Sequence, residues 1–361
     1  MNSISPDNTP EDRFLVICTL RIGDILLTTP LIHSLRQASP RSHIAVLVLS
    51  GMGGILQGNP DINEVIETPH RAPLSVRWKE WRSLWRRFTH ALTPVSSDRA
   101  RLYAFIAARR RIGFFNAHTS WLSRKLLTDP LLFDDESLHT VTLNLKLLEP
   151  LGFPKNGTVV SPRAGGDIPA TLAQNAYAVL HPYPKFSYKS WPLDKWVALI
   201  ENLNNRPIPV VLTGGNDPQE IAFVEEISRR TGAINFAGKL SLAQTADLIA
   251  HARFYLGPDT GITHIAAATE TPTIALFGPT NPIKWGPWPA SQTLIPPSPW
   301  VLKGNQHQGN VWLIQGEGAC VPCHQEGCDH HANSLSQCLT SLEVRSVLAQ
   351  IDQLLVKKDN S

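Results

Sequence analysis

The chain has 361 residues, of which 42% are hydrophobic and 17% are charged, and its formal net charge is +3. This composition excludes a disordered or fibrous protein, and the length fits two domains of roughly 150–200 residues each. No apolar run reaches the roughly 18 residues that cross a bilayer, and the polar first residues lack the pattern of a signal peptide. We therefore expect a cytoplasmic protein.

Short β-branched runs alternate with amphipathic helical segments along the chain. Strands are predicted at residues 14–19, 43–49, 64–68, 176–182, 209–215, 234–238, 253–259 and 272–278. One helical segment extends from the first strand to about residue 38, and others cover residues 194–203 and 218–230. Runs that are apolar throughout and are separated by helices indicate parallel strands covered on both faces.

The strand and helix pattern occurs once before about residue 155 and begins again near residue 175. The segment between, residues 155–174, is rich in Gly, Pro, Ser and Thr and is typical of an interdomain linker. The sequence therefore predicts an α/β protein with two Rossmann-like domains, residues 1–165 and 166–361, facing each other across a cleft. The C-terminal helix could pack back on the N-terminal domain. Ligands bind such sheets at the carboxyl ends of the strands, so the loops there are candidate sites.

The loop after the first strand carries Gly23 and Asp24, ahead of a helix that Thr29 would cap and Pro30 would start. Gly23 allows a tight turn or a close backbone approach. The loop lacks the G-x-G-x-x-G pattern of dinucleotide-binding domains. Asp24 either caps the turn through backbone N–H groups or serves as a catalytic carboxylate in the cleft.

A second loop lies at residues 255–269, where a strand ends and a helix begins near Asp259 or Thr260. Both of these residues are expected to cap that helix. The free N–H groups and the dipole of a helix start favour a diphosphate. Gly261 would let a phosphate approach the backbone, and His264 lies one turn further along. The alternative is an ordinary capped helix with a hydrogen-bonded histidine.

Two further segments follow predicted strands of the C-terminal domain. Lys185 and Lys189 precede a helix, and a lysine at that place either neutralises a leaving-group phosphate as a point charge or is solvated at the surface. In residues 213–220, Asp217 or Glu220 could accept a hydrogen bond from a ribose hydroxyl.

Residues 71–130 contain thirteen Lys or Arg and three Asp or Glu. Within this stretch, a helix over residues 77–88 would place five apolar side chains on one face at 100° per residue. They are Trp78, Trp81, Leu84, Trp85 and Phe88. Such a basic aromatic helix either lies in a bilayer interface or packs on the core. Nucleic-acid binding is not expected, because the rest of the chain is near neutral and no known module is present.

Four cysteines, Cys320, Cys323, Cys328 and Cys338, lie close together in the sequence. The C-x2-C spacing of the first two is compatible with a structural zinc site. The spacing of the others is irregular, so free thiols are the expectation. We predict no metal site and no cofactor.

Several motifs in order carry a resemblance to a known family. They are L-R-I-G-D-I-L-L-T-T-P-L-I-H-S-L-R at 20–36, Y-K-S-W-P at 188–192, G-P-D-T-G-I-T-H-I-A-A-A at 257–268 and P-T-I-A-L-F-G-P-T at 272–280. Together they resemble glycosyltransferase family 9, the ADP-heptose–lipopolysaccharide heptosyltransferases. The likeness covers about residues 13–350.

This resemblance implies a GT-B fold and an inverting, metal-independent transfer of a heptose from ADP-heptose to an inner-core sugar of lipopolysaccharide. It implies that Asp24 is the general base beside Gly23 and that Lys189 contacts the donor phosphates. The implied donor loop contains Asp259, Thr260, Gly261 and His264. The partners would be an ADP-sugar in the C-terminal domain and a lipopolysaccharide core in the N-terminal domain. The protein would then reach its acceptor at the inner face of the inner membrane, through peripheral contact with anionic lipid.

Two other functions remain open at this point. The first is a GT-B transferase or an epimerase that uses another nucleotide sugar. The second is a catalytically silent protein that binds a nucleotide sugar or lipopolysaccharide. The presence of both Asp24 and Lys189 favours an enzyme.

Overall fold

The computed structural model describes residues 12–134, 136–166, 172, 177–292 and 295–359. We call residues 12–166 the N-terminal half and residues 177–359 the C-terminal half. Each half is built around one β-sheet. The two sheets agree with the predicted pair of Rossmann-like domains.

The N-terminal half has a six-stranded parallel sheet with the order β3-β2-β1-β4-β5-β6. Its strands are β1 Arg13–Ile17, β2 His43–Leu49, β3 Glu64–Thr68, β4 Phe88–Thr93, β5 Ala108–Phe115 and β6 Asp129–Leu132. Its helices are α1 Ile22–Leu26, α2 Thr29–Ala38, α3 Leu74–Leu84, α4 Asp98–Ala107, α5 Trp121–Arg124 and α6 Thr140–Leu145. The strand order reverses between β1 and β4, which is where sheets of this kind bind ligands.

The C-terminal half has a seven-stranded sheet with the order β12-β13-β11-β10-β7-β8-β9, in which only β12 is antiparallel to its neighbour. Its strands are β7 Ala178–Leu180, β8 Val210–Leu212, β9 Ile234–Asn235, β10 Phe254–Pro258, β11 Thr273–Phe277, β12 Gln306–Gln308 and β13 Val311–Gln315. Its helices are α7 Leu193–Asn204, α8 Pro218–Thr231, α9 Leu242–Ala250, α10 Gly261–Ala268, α11 Pro282–Trp285, α12 Gln337–Ser341 and α13 Val344–Asp359. Here the order reverses between β7 and β10.

The apolar core continues from one half into the other. The buried cluster around Phe14 and Leu15 of β1 extends to Leu248, Tyr255 and Ile265 of the C-terminal half. Burial of apolar surface therefore holds the two sheets together. The loops after β1 and β10 are thereby placed on either side of one cleft.

Every strand predicted from apolar runs is present, but five strands of the structure were not predicted. β5 was missed because it begins A-R-R-R, which breaks the apolar pattern. The Arg110 side chain is accommodated there by an ion pair with Asp129 of β6, at 3.2 Å, and the Arg111 guanidinium donates to backbone carbonyls. β4, β6, β12 and β13 were missed as well.

The predicted helical segment between the first two strands is divided into α1 and α2. Thr28, not Thr29, is the residue that precedes α2. Asp24 is therefore the third residue of a short helix rather than a loop residue. The C-terminal helix also differs from the expectation, because α13 packs on the C-terminal half. Its buried side chains Val347 and Ile351 lie in the same cluster as Leu199 of α7.

The predicted linker is described only up to residue 166 and at residue 172. Val160 N–H donates to Thr29 Oγ1 at 2.9 Å, and Ala164 N–H donates to the Asp247 carboxylate at 2.9 Å. The linker segment is thus bound to both halves, and the domain boundary at residues 165 and 166 stays a prediction. Of the helices described here, none is long and apolar enough to cross a membrane.

Candidate active site

A cleft of about 1350 Å³ is lined by residues from both halves. The loops that follow β1, β7, β8, β10 and β11 contribute to its walls. All the site residues predicted from the sequence line it: Gly23, Asp24, Lys189, Asp259, Thr260, Gly261 and His264. Asp217 and Glu220, the two candidates for ribose binding, also line it. The structure therefore brings the predicted residues into one space.

Two glycines lie where α1 packs directly against α10 in this cleft. A Cβ atom on Gly261 would lie 2.7 Å from Ile22 Cγ1, which no real contact tolerates. A Cβ atom on Gly23 would lie 3.7 Å from His264 Cδ2. Gly23 was expected to allow a tight turn or a close backbone approach. It lies in α1, and a Cβ there would be 3.8 Å from Gly261 Cα, which is an ordinary contact. The absence of a side chain at Gly261 is what lets the two helices meet at this distance.

The Asp24 carboxylate caps a helix and also lies in the cleft, so the capping contact leaves its catalytic role open as a prediction. Its Oδ2 accepts a hydrogen bond from Arg21 N–H at 3.3 Å and so caps α1. The same side chain also lines the cleft. Burial raises the pKa of Asp24 above its ordinary value, and the Arg21 N–H, the Arg21 charge and the Lys284 charge oppose that shift. A carboxylate with a raised pKa is a stronger base than an exposed aspartate.

Lys189 and Asp259 form an ion pair beside the start of α10. The Lys189 Nζ and Asp259 Oδ2 atoms are 2.5 Å apart, and the Asp259 side chain is only 7% exposed. Thr260, not Asp259, is the N-cap of α10, and its Oγ1 accepts from Thr263 N–H. The expectation that Asp259 also caps this helix is therefore wrong. Its carboxylate instead holds a lysine ammonium next to the free N–H groups of the helix.

His264 is buried within the first turns of α10 and is neutral at physiological pH. Burial lowers its pKa to about 4, the nearby Lys189 lowers it further, and Asp259 partly opposes the shift. Its Nδ1 atom has no hydrogen-bond partner among the residues that the structure describes. A buried polar atom of this kind normally has a partner, so His264 has an unused hydrogen-bonding group at the cleft.

The structure separates the two carboxylates of residues 213–220. One oxygen of Asp217 accepts from Gln219 N–H at 2.9 Å and caps α8. Glu220 instead lies against the glycines that follow β8, with its Oε2 2.9 Å from the position of a Cβ on Gly215. Burial raises the pKa of Glu220. His181, whose Nε2 is 3.9 Å from Glu220 Oε1, is kept neutral by burial, which lowers its pKa to about 4.

Sequence reasoning missed several cleft residues. Arg21 crosses the cleft, and its guanidinium lies 4.4 Å from the centroid of the Phe186 ring. Lys284 and Trp285, at the end of α11, also line the cleft. Arg21 stands inside the first motif and could have been noted there, whereas a lysine in a single helical turn gives no signal of its own.

The cysteine segment also reaches the cleft, where His324 is one of the lining residues. The His324 N–H donates to Pro279 O at 2.8 Å, and Ser336 Oγ donates to Tyr188 O at 2.6 Å. All five cysteines of the chain are free thiols, with Cys338 buried. Among the described residues, no group of three or more His, Cys, Asp or Glu side chains is arranged to hold a metal ion.

The predicted aromatic helix is shorter than expected. It ends at Leu84, Arg86 adopts a φ of 52°, and Phe88 is buried in β4. Trp78 and Trp85 are 68% and 61% exposed, whereas Trp81 packs partly against the core. The prediction of a single apolar helix face over residues 77–88 is therefore wrong. Two exposed tryptophans nevertheless remain on this surface.

Two largely parallel sheets that face each other across a cleft are the architecture of the GT-B fold. Among solved structures, Escherichia coli ADP-heptose LPS heptosyltransferase II matches with a TM-score of 0.73 at 20% identity, over 96% of this chain and 99% of that one. The E. coli heptosyltransferase WaaC with ADP matches with a TM-score of 0.70 at 20% identity, over 95% and 99% of the two chains. The expected GT-B fold is thus confirmed.

Comparison of the amino-acid sequence with known proteins identifies the family. The model of glycosyltransferase family 9 (heptosyltransferase) matches residues 77–335. Lipopolysaccharide heptosyltransferase 3 of E. coli K12 is 33% identical over 285 residues, which cover 74% of this chain and 82% of that protein. The chain belongs to glycosyltransferase family 9.

The contact between α1 and α10 yields a test of the site geometry. Gly261→Ala should push Ile22 aside and destabilise the protein by about 1–3 kcal/mol, the usual cost of overpacking. The same variant should lose transferase activity, because the clash displaces the helices at the site. The double variant Ile22→Ala with Gly261→Ala should recover part of that activity, because it removes the clashing side chain. Thermal unfolding and initial rates of sugar transfer measure both effects. Unchanged stability and activity in Gly261→Ala would contradict the close packing.

Proposed function

We propose that this glycosyltransferase moves a heptose from ADP-heptose to an inner-core sugar of lipopolysaccharide, with inversion at the anomeric carbon. One observation carries the proposal. A half-buried carboxylate of the N-terminal half, Asp24, and a cationic helix start of the C-terminal half, Lys189 with α10, line the same cleft. The activities of the similar proteins, heptosyltransferases of lipopolysaccharide that use ADP-heptose, supply the sugar and the acceptor.

In the proposed reaction, Asp24 accepts the proton of the acceptor hydroxyl as that oxygen attacks the anomeric carbon. The bond between this carbon and the β-phosphate oxygen breaks at the same time, and ADP leaves with the electron pair. A single displacement from the opposite side inverts the configuration. The raised pKa of Asp24 supports its role, because general-base catalysis improves as the pKa of the base approaches the working pH.

The C-terminal half supplies the groups that stabilise the departing diphosphate. Lys189 contributes a positive charge that Asp259 holds in place. The free N–H groups at Thr260 and Gly261 add the field of the α10 terminus. His264, being neutral, contributes a hydrogen bond rather than a charge. None of these contacts requires a resident cofactor.

Glu220 is the proposed partner of the donor ribose. Asp217 already uses a carboxylate oxygen to cap α8, whereas Glu220 lies at the glycine turn after β8 and lines the cleft. A carboxylate at this place accepts hydrogen bonds from the two ribose hydroxyls, as in other dinucleotide and nucleotide folds.

The choice of donor is tested by measuring the slow hydrolysis of a panel of nucleotide sugars by the protein. The panel separates ADP-heptose from other donors, and any hydrolysis separates an enzyme from a silent binding protein.

Asp24→Asn tests the base. The amide keeps the shape of the side chain but cannot accept the proton, so turnover should fall by roughly 10²–10⁴-fold. ADP affinity should stay nearly unchanged, because the donor contacts lie in the other half. Turnover is measured by ADP release and affinity by calorimetry. Near-normal turnover in this variant would rule out Asp24 as the base.

Lys189→Ala tests the diphosphate site. ADP binding should weaken by about 10- to 100-fold, the effect of losing one hydrogen bond to a charged group, while adenosine binding should change little. Lys303→Ala is the control, since Lys303 is an exposed lysine of the same half outside the cleft. Thermal unfolding is followed as well, because the variant leaves the Asp259 carboxylate without its ammonium partner. Equal ADP affinity in the wild type and in Lys189→Ala would contradict the site.

We also propose peripheral contact of the N-terminal half with anionic lipid, at the inner face of the inner membrane. Trp78 and Trp85 are exposed, and the Arg86 guanidinium lies 5.4 Å from the Trp85 ring and 5.8 Å from the Phe105 ring. Lys79, Arg82 and Arg86 are all exposed. Aromatic rings with neighbouring cations suit a bilayer interface that carries negative charge.

Lys79→Glu with Arg82→Glu tests the membrane contact. Each surface cation contributes about 1 kcal/mol near an anionic bilayer, so reversing two charges should strongly reduce binding to phosphatidylglycerol vesicles. Added salt should weaken wild-type binding, because it screens the attraction. Arg87 is not suited to this test, since it forms an ion pair with Glu64.

The control is Lys303→Glu with Arg345→Glu, which makes the same charge change at exposed positions of the C-terminal half. It should retain vesicle binding, measured by flotation, and both variants should keep donor hydrolysis. A wild-type protein that ignores anionic vesicles at low salt would refute the contact.

A further inference from the structure

Arg21 precedes α1 and makes two different contacts, one with the Asp24 carboxylate and one with the C-terminal half. Its backbone N–H donates to Asp24 Oδ2 at 3.3 Å. Its side chain extends across the cleft, where the guanidinium carbon lies 4.4 Å from the centroid of the Phe186 ring. A guanidinium within about 6 Å of a ring centroid is attracted to the face of that ring. The residue that binds the Asp24 carboxylate through its backbone thus also binds the opposite half through its side chain.

Phe186 begins the turn that carries Lys189. The Lys189 N–H donates to Phe186 O at 3.0 Å, and Ser187–Lys189 form a single 3₁₀ turn. The Phe186 ring stacks on the Tyr188 ring, with 5.5 Å between the centroids and 19° between the planes. The Lys189 ammonium lies 5.8 Å from the centroid of the Tyr188 ring. The ring that contacts Arg21 and the ammonium proposed for the donor diphosphate therefore belong to one compact turn.

The turn is also held within the C-terminal half by contacts that do not involve Arg21. Ser336 Oγ donates to Tyr188 O at 2.6 Å. Lys189 forms its ion pair with Asp259, which lies at the end of β10. Loss of the Arg21 side chain would leave these contacts in place. It would therefore change the position of the turn relative to the N-terminal half rather than the fold of the turn.

We propose that Arg21 is a positioning residue of the transfer reaction, which fixes the turn carrying Lys189 relative to Asp24 through its contact with Phe186. This proposal rests on the proposed roles of Asp24 and Lys189. A single displacement needs the acceptor oxygen, the anomeric carbon and the departing phosphate oxygen in line. Asp24 acts at one end of this line and Lys189 at the other end, on different halves. A contact that joins the two ends keeps both groups in the geometry that the displacement requires.

The test is a double-mutant cycle with Arg21→Met, Phe186→Leu and the double variant, measured as kcat of transfer and as ADP affinity. Both substitutions keep an apolar side chain in place and remove the attraction between the cation and the ring. In each single variant kcat should fall by about 10- to 100-fold, because a misplacement of roughly 1 Å can cost that much. ADP affinity should stay nearly unchanged, because the proposed donor contacts lie within the C-terminal half.

The double variant shows whether the two side chains act through one contact. If they do, its kcat should resemble that of the lower single variant, whereas independent losses multiply. Multiplied losses would overturn the proposal. A loss in Arg21→Met that falls on ADP affinity rather than on kcat would overturn it too, because Arg21 would then bind the diphosphate itself.

Two conservative variants separate the contact from the charge of Arg21. Arg21→Lys and Phe186→Tyr each keep a cation that faces a ring, so both should retain most of the wild-type kcat. Burial raises the pKa of Asp24 and the Arg21 charge opposes that shift, so kcat is compared on the plateau of each pH profile. On the plateau, a loss of kcat reports the positions of the groups rather than the protonation of Asp24.

Arg124→Met is the matched control. It removes another contact between a guanidinium and a ring, at 4.0 Å from the centroid of Phe115, and neither residue lines the cleft. Its kcat should equal that of the wild type. Unchanged kcat in Arg21→Met and Phe186→Leu, both shown to be folded by thermal unfolding, would overturn the proposal. Asp24→Asn and Lys189→Ala report separately on the base and on the phosphate cation, so a failed cycle beside losses in both of those variants refutes the role of Arg21 alone.

Discussion

The close contact between α1 and α10 is the constraint on which the site depends. Gly23 and Gly261 meet where any side chain on Gly261 would collide with Ile22. This approach brings the carboxylate at the third position of α1 and the free N–H groups of α10 into one cleft. Neither half holds all of the proposed catalytic groups, so the proposed chemistry depends on the interface between them.

Electrostatics divides the cleft into two environments. On the donor side, Lys189 and Asp259 form a tight pair beside a helix terminus, and His264 is kept neutral by burial. On the proposed acceptor side, burial raises the pKa of the half-buried Asp24, and the Arg21 N–H and charge oppose the shift. A carboxylate with a raised pKa suits a group that must bind and release a proton. A lysine that is already paired with a carboxylate keeps its charge, and this suits the binding of a ligand whose charge does not change.

Much of the fold and of the candidate site was readable from the sequence, because both depend on local patterns. Apolar runs between helices predicted the strands that border the cleft. The motif around Asp259 predicted a helix start, since Thr260 and Gly261 have strong positional preferences there. β5 could not be predicted from periodicity, because its arginines are satisfied by partners such as Asp129 on the next strand. The end of α3 was missed for a related reason, since Arg86 adopts a positive φ that no local pattern announces.

The contacts between distant residues were beyond the sequence. Lys189 and Asp259 are seventy positions apart, and nothing local shows that they pair or that the aspartate is not a cap. The choice between Asp217 and Glu220 likewise required the geometry of the turn after β8. Lys284 carried no motif of its own, and it lines the cleft because α11 packs against the N-terminal half.

The central claim is a single inverting transfer of heptose across this cleft. The most direct measurement is the structure of the product formed from ADP-heptose and a deacylated lipopolysaccharide core, determined by NMR of the new anomeric centre. The account predicts one added heptose, one ADP released for each transfer, and an anomeric configuration opposite to that of the donor. A product with the donor's configuration, or no transfer from ADP-heptose to any core acceptor, would contradict it.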